Sequence, residues 1–530
     1  MHVAVRGLRH GDLPESSAAK LAEDVERVLA ALPGVEWAVA NTVLGHAVVG
    51  TEGPFETETI TDALIEAVEA VEEAHGVTHP LPEHPVSGGT VRRAASAMAL
   101  HMAAAPMAAL AGLTRRTPIP AGLAALAPLV DTHPRLRRLV EQTVGTENAG
   151  VLLALLTAVG QAGSGGLVGV GVDALRHALR AMEADAEAAA WAAAEPRLAG
   201  SAAAGAHRTP PAGPARETRL TPGPVEHYAD QALAVAAASF TGSLLVTRST
   251  KRAAGAALAA IPKAPLLARE GFACAFGREL ARRGVVVADP DALRRLDRVG
   301  TVLLDTDALT TGAQLPARLI PLDEDTPLGE LSAMAYRLFD GSAPDRLQRD
   351  GEWVLGPVEH LTLRGRTGKR ARERLRREGA RLVLGLAQGP RLLAVISVLP
   401  EMRDAASGFV PAARTAGLRI MTAGEHTSDQ SVREADAVSG EGDRLVDTVR
   451  ALQRDGDGVL LVSHDRSALL AADVGVGITD PRGTPPWGAD LYLDGDLAPA
   501  VVIVEACRTA RETAHRGVRL AQAAAAVGAT

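Results

Sequence analysis

Two aspartates two residues apart, Asp305 and Asp307, lie in the stretch Val299 to Gly312, VGTVLLDTDALTTG, where an apolar run ends abruptly on an acid. A strand that stops there holds the Asp305 carboxylate rigidly at its carboxyl end. The Thr- and Gly-rich turn that follows presents backbone amides to an incoming anion. This is an arrangement for phosphoryl transfer, with Asp305 as the nucleophile. An Asp-rich loop closing an ordinary strand would leave the same letters, so the choice rests on the elements around it.

From residue 284 onward, short Val- and Leu-rich runs alternate with Arg- and Ala-rich helical patterns, the texture of an α/β sheet. Ligands of such folds sit outside the carboxyl ends of the strands. The pattern predicts a Rossmann-like core from 284–315 and 399–490, split by an α+β insertion over 316–398. At the other end, residues 2–7, 16–32, 35–40, 45–49 and 56–75 read strand, helix, strand, strand, helix. That order predicts a ferredoxin-like unit over 1–78. Segment 90–199 carries apolar runs at 94–113 and 149–172, and segment 225–283 carries shorter ones at 232–246 and 253–266. The first run is close to the ~20 residues that cross a bilayer, so a helical, membrane-associated bundle is expected. Pro, Gly, Ala and Ser dominate 200–224, which reads as a flexible, exposed linker. Residues 491–530 close the chain as a stalk or membrane helix. The fold class expected is therefore multidomain α+β.

Composition narrows the function. Hydrophobic residues are 47% of the 530 but aromatics only 2%, so the cores are built from Ala, Val and Leu. A net charge of −8, from 55 Lys+Arg against 63 Asp+Glu, argues against a nucleic-acid binder. Two cysteines, Cys274 and Cys507, exclude a disulfide framework and a Cys-rich metal site. The N-terminus has no basic region followed by an apolar run, which predicts no signal peptide. The basic stretch 364–377 contains Gly-Lys without the spacing of a phosphate loop.

The order of several degenerate motifs resembles the P-type cation-transporting ATPases, whose phosphorylation domain is of the haloacid dehalogenase type. Asp305-Thr306-Asp307-Ala308-Leu309-Thr310-Thr311 is similar to their D-K-T-G-T-L-T, with the lysine replaced by Thr306. Upstream, Pro262 matches the proline at which their transport helix unwinds, and Lys263 stands where a cation-binding acid is expected. Trp353 to Leu361 resembles the K-G-A-P-E run of the nucleotide domain, with Leu355 in place of the ATP-contacting lysine. Leu399 to His426 resembles the segment ending in T-G-D, here Ala423-Gly424-Glu425, with Thr422 beside it and Arg444 as a stand-in for the lysine that follows. His464 to Ile478 resembles N-D-A-P-A-L-x-x-A-D-V-G-I-A. It makes Asp465, with Asp305, the candidate magnesium ligand, while Leu460, Leu461 and Val462 replace a preceding G-D-G. The front unit resembles a heavy-metal-associated domain whose Cys-x-x-Cys loop is replaced by GLRHGD (7–12), leaving His10 as a weak ligand candidate. The T-G-E loop of the actuator domain is not found, and the linker 200–224 occupies its place.

The pattern is closest to the cation-transporting ATPase I group, in which a degraded pump-like half precedes a better preserved one. The resemblance implies a cell-membrane protein with cytoplasmic domains, ATP and Mg²⁺ as cofactors, and contact with membrane lipid. An intact P-type ATPase half or subunit is the partner it suggests. Three activities follow: an ATP-driven cation pump, a catalytically impaired relative with a binding or regulatory role, and a small-molecule phosphatase. In the last, Asp305 attacks and Asp307 is the general acid. Loss of one preorganised electrostatic contact commonly costs ~10²–10³ in rate. The erosion of several together favours the second.

Overall fold

A computed structural model describes residues 1–530 except 10, 52–56, 115–118, 120–129, 131–136, 138, 141–142, 165, 200–203, 211–215, 251, 254–262, 324, 365–367, 379, 381, 425–434, 439–443 and 529–530. The architecture is mixed α/β and multidomain, with three separate sheets.

At the front, β1 (His2–Ala4), a helix (Glu15–Ala30), β2 (Val35–Asn41), β3 (His46–Thr51) and a second helix (Thr57–Ala74) form a βαββα unit. Its antiparallel sheet has the order β1-β3-β2. Val3, Val5, Ala47 and Val49 pack beneath Leu21, Val25, Leu64 and Val68 of the helices. Alternation along the strands therefore sends His2 and His46 to the opposite face of the sheet.

The central sheet has the order β12-β11-β5-β13-β14-β15-β4, parallel except for the edge strand β4 (Val286–Val287). At its middle, β5 (Thr301–Asp305), β13 (Val459–Ser463) and β14 (Val474–Ile478) are buried throughout. Helices cover both faces, so these strands read as continuous apolar runs. Next to β5 on its other side lies β11 (Arg419–Ala423), paired in turn with β12 (Ala437–Val438); β15 (Leu491–Leu493) joins β14 to β4. Leu and Val supply most of the core, with Trp487 and Phe409 the bulkiest fully buried side chains.

Between β5 and the strand β11 the chain leaves to build a five-stranded antiparallel sheet, order β6-β10-β9-β8-β7. In chain order it runs from β6 (Thr310–Pro321) through β7 (Gln348–Asp350), β8 (Trp353–Pro357) and β9 (Leu382–Gln388) to β10 (Arg391–Met402). The inserted sheet thus begins and ends several residues outside 316–398, because β6 and β10 pair from Thr310–Met402 inward.

Two described helices, Gly89–Thr114 and Pro224–Thr247, are long and apolar enough to cross a bilayer. The apolar run 149–172 is not one helix. It divides into Thr146–Ser164 and Leu167–Leu198, where glycines (Gly163, Gly165, Gly166) lower helix propensity and the Gly166 N–H closes onto Gln161 O at 2.9 Å. The second of these carries Asp173, Arg176, Arg180, Glu183 and Glu187, so it is not a lipid-facing span. Its far end delivers Trp191, Ala194 and Leu198 into the core on one side of the central sheet. Likewise Lys263–Arg282 is charged along its length, and the closing helix Ala498–Gly528 buries Ile503, Val504 and Cys507 against the sheet's other face. Along residues 500–510 that helix packs on the core as a stalk.

The segment 200–224 also departs from the expectation of an exposed linker. Where described, it is docked on the central domain. Arg216 pairs with Asp473, and Thr218 Oγ1 donates to Gln453 O at 2.5 Å. Trp487 Nε1 donates to Ala206 O at 3.0 Å, and His207 is fully buried. Composition missed this because the anchors are single polar side chains reaching backbone carbonyls.

Candidate active site at the end of strand β5

Asp305 ends β5 between two parallel neighbours, facing Ala423 of β11 across one ladder and lying beyond Val462 of β13 on the other. The residue is 7% exposed. Ser463 Oγ donates to Asp305 Oδ2 at 2.6 Å, the Asp307 N–H donates to Oδ1 at 3.1 Å, and His464 Nδ1 lies 3.9 Å from Oδ2. Burial pushes the Asp305 carboxyl above the usual range; the Ser463 hydrogen bond and His464 oppose that push, and Asp307 adds to it.

The residues around it fall into two groups. Thr306, fully buried, directs both its N–H (2.8 Å) and its Oγ1 (3.0 Å) to Ala423 O, tying the β5 turn to β11. It is a structural clamp. Gly424 has φ +104°, and a Cβ there would lie 2.6 Å from Thr306 Oγ1 and 3.4 Å from Asp305 Oδ1. Only glycine lets β11 leave so close to the Asp305 turn. Thr422, one residue inside β11, is fully buried, and among the described residues its Oγ1 has no hydrogen-bond partner. Asp307 lies half-buried on the turn itself, within reach of Asp305 through its own backbone.

Asp465 does not meet Asp305 directly. It is exposed and caps the helix Arg466–Ala471, accepting from Ala468 N at 2.9 Å, while its own N–H donates to Ser463 Oγ at 2.9 Å. The motif resemblance pointed to Asp465, yet β13 presents the Ser463 hydroxyl to Asp305. The signal for Ser463 was available in principle: it is the first polar residue after the buried run Val459–Val462. Arg444 is exposed and precedes the helix Leu445–Arg454, with no described contact to Asp305. Leu355 is buried in the core of the inserted sheet. Pro262, Glu425 and His10 lie outside the described residues, as does the side chain of Lys263, the first residue of its helix.

Among the described residues, Asp305 joins no group of three or more side chains placed to hold a metal ion. Mg²⁺ is held in phosphoryl-transfer sites by one or two carboxylates together with substrate phosphates. Here one carboxylate already accepts a hydroxyl and an amide, and its nearest neighbour on β13 is a serine. The described donors do not fit a preformed Mg²⁺–ATP site.

No family profile matches the chain. It is 29% identical over 581 aligned positions to "Probable cation-transporting ATPase I" of Mycobacterium tuberculosis (strain CDC 1551 / Oshkosh), an alignment covering 95% of this chain and 34% of that protein. The protein of the same name from Mycobacterium leprae (strain TN) is 30% identical over 466 positions, 78% of this chain and 28% of its own length. The chain spans about a third of the length of these relatives. Among solved structures, a zinc-transporting PIB-type ATPase in the E2.Pi state shares 15% identity over 57% of each chain, with a TM-score of 0.40.

Proposed function

We propose that this chain, a relative of the cation-transporting ATPase I group of P-type ATPases, is a pump-derived binding or regulatory module without appreciable ATP turnover. The relationship itself rests on sequence identity along nearly the whole chain. The loss of turnover is argued from one observation: the partner that β13 offers Asp305 is the Ser463 hydroxyl at 2.6 Å, where a phosphorylation site needs charge to gather Mg²⁺ and phosphate. Thr306 supports the same reading, since its hydroxyl is committed to Ala423 O and its position carries no positive charge.

In this proposal the helices Gly89–Thr114 and Pro224–Thr247 hold the protein at the cell membrane against lipid, with the sheet domains on the cytoplasmic side. Its partner is an intact P-type ATPase half or subunit. The test is incubation of purified protein with radiolabelled ATP and Mg²⁺ followed by acid quench. No hydroxylamine-sensitive label is expected. Label that disappears in Asp305→Asn would show a working phosphorylation site and overturn the proposal in favour of an active pump.

One observation favours phosphatase chemistry as the second reading. Asp307 sits two residues from Asp305 on a turn whose amide contacts the Asp305 carboxylate, a spacing suited to a nucleophile and a general acid. Hydrolysis of small phosphate esters that is lost in Asp307→Asn would establish it.

A further inference from the structure

Four side chains that can ligate metal come together where the front unit meets the long helix Leu167–Leu198, far along the chain from Asp305. His2 on β1 and His46 on β3 stand on the sheet face turned away from the unit's own apolar core. His84, at the head of the short turn Pro85–Ser87, packs between them. Its ring centroid is 5.4 Å from each, and His2 and His46 are 6.5 Å apart. Glu195 arrives from the helix, with Oε1 3.9 Å from His2 Nε2 and 3.6 Å from His84 Nε2. His2, His84 and Glu195 each place one donor atom within 4.8 Å of the others.

Ordinary packing explains this cluster poorly. Among the described residues His2 Nδ1 is buried without a hydrogen-bond partner, and two imidazoles, His2 and His84, face one carboxylate. Metal binds the neutral form of an imidazole. His46 stands beside these rings with one nitrogen already engaged. Its Nδ1 lies 2.9 Å from Leu44 O, and because a carbonyl only accepts, Nδ1 carries the proton and Nε2 keeps its lone pair. A backbone carbonyl fixing the tautomer is the usual support for a metal-bound histidine.

We propose that His2, His84 and Glu195, with His46 as the fourth donor, bind a divalent cation of borderline softness such as Zn²⁺ or Co²⁺. Imidazoles with one carboxylate and no thiolate select that class. With metal–nitrogen and metal–oxygen bonds near 2.0–2.2 Å, adjacent donors of a tetrahedral ion sit about 3.3–3.5 Å apart. The separations of 3.6 and 3.9 Å close to that by side-chain adjustment alone. At His84 the Nε2 proton must leave, and the long, exposed contact from Val86 N to Nδ1 at 3.4 Å opens as Nδ1 takes the hydrogen. The donors come from β1, β3, the turn and the helix, and Glu195 lies four residues beyond Trp191, which is buried in the core of the central domain. The cation would clamp the front unit to the helix that anchors it there. This site goes beyond the reading of Asp305 and holds whether or not Asp305 is ever phosphorylated.

The experiment titrates metal-free full-length protein with Zn²⁺ by calorimetry and with Co²⁺ by its visible absorption. One equivalent should bind, with a tetrahedral Co²⁺ spectrum. In His84→Ala/Glu195→Gln the affinity should fall by more than the ~10–100-fold typical of outer-shell changes. Should that variant misfold, Glu195→Gln alone keeps the shape and should show the same direction of loss. His10→Ala, in the loop 7–12, should bind as the parent does. Zinc binding unchanged by the His84 and Glu195 substitutions, binding abolished by His10→Ala, or no binding at all would each overturn the assignment. None of these results depends on phosphorylation, so the two readings fail separately.

Discussion

Glu187 sits on the buried side of the helix Leu167–Leu198, 9% exposed, with Oε1 lacking a hydrogen-bond partner among the described residues. Burial raises its carboxyl from an ordinary value of 4.5 to about 8, with the neighbouring Glu183 adding to the shift and Arg294 opposing it. Because the folded value lies above the unfolded one, the folded chain binds more protons between pH 4.5 and 8. Stability therefore falls as pH rises through that window. Each pH unit is worth about 1.4 kcal/mol, so at pH 7 the native state loses up to about 3 kcal/mol relative to a neutral isostere. Glu187→Gln removes the titration while keeping shape. It should leave stability nearly unchanged at pH 4.5 and raise it progressively toward pH 7.5. A chain of several domains does not unfold in one step, so the readout should be local: hydrogen exchange of amides along Leu167–Leu198 at the two pH values. An equal effect at both pH values, or a less protected helix at pH 7.5, would refute the argument.

Three further outcomes follow from the geometry. Arg294→Met should destabilise the contact between the helices Leu167–Leu198 and Lys263–Arg282 by about 3–5 kcal/mol, because Glu183 and Glu270 are buried and both bonded to that guanidinium; Glu183→Gln in the same chain should recover part of the loss. Gly424→Ala should cost roughly 1–3 kcal/mol, since it forces a side chain into φ +104° and against Thr306 Oγ1, and thermal unfolding followed by near-ultraviolet dichroism would read it. Ser463→Ala should raise the Asp305 carboxyl pKa further by removing the hydroxyl that stabilises its charged form, a change measurable by carbon NMR titration of that side chain.

The strands of the central sheet were legible because they are buried on both faces. Val302–Leu304, Val459–Val462 and VGVGI are uninterrupted apolar runs within those strands. The inserted sheet was legible as an α+β interruption, but not at its edges, since β6 and β10 continue past the apolar part into polar pairs such as Thr310 with Met402. Hydropathy misjudged the run 149–172 because it counts glycine and alanine as apolar without asking whether a helix can pass through four small residues in a row. It also misjudged 200–224, where Arg216, Thr218 and Trp487 make contacts that composition does not encode.

The site was legible in one strand and not in the next. Asp305 could be found because the strand before it and the turn after it define where its carboxylate must sit. The residue opposite is set by the register between β5 and β13, in which Val462 pairs with Leu304, so Ser463 follows onto the level of Asp305. Motif spacing placed Asp465 there instead. Yet Asp465 opens the next helix, where its carboxylate caps Ala468 N while its N–H shares the Ser463 hydroxyl with Asp305. The histidine cluster was invisible for a different reason. His2, His46, His84 and Glu195 are spread over 193 positions with no metal-ligand spacing between them. Only the pleat of β1 and β3 and the docking of Leu167–Leu198 against the turn bring them together. A site built from four elements leaves no local motif, and its chemistry becomes readable only once the fold is known.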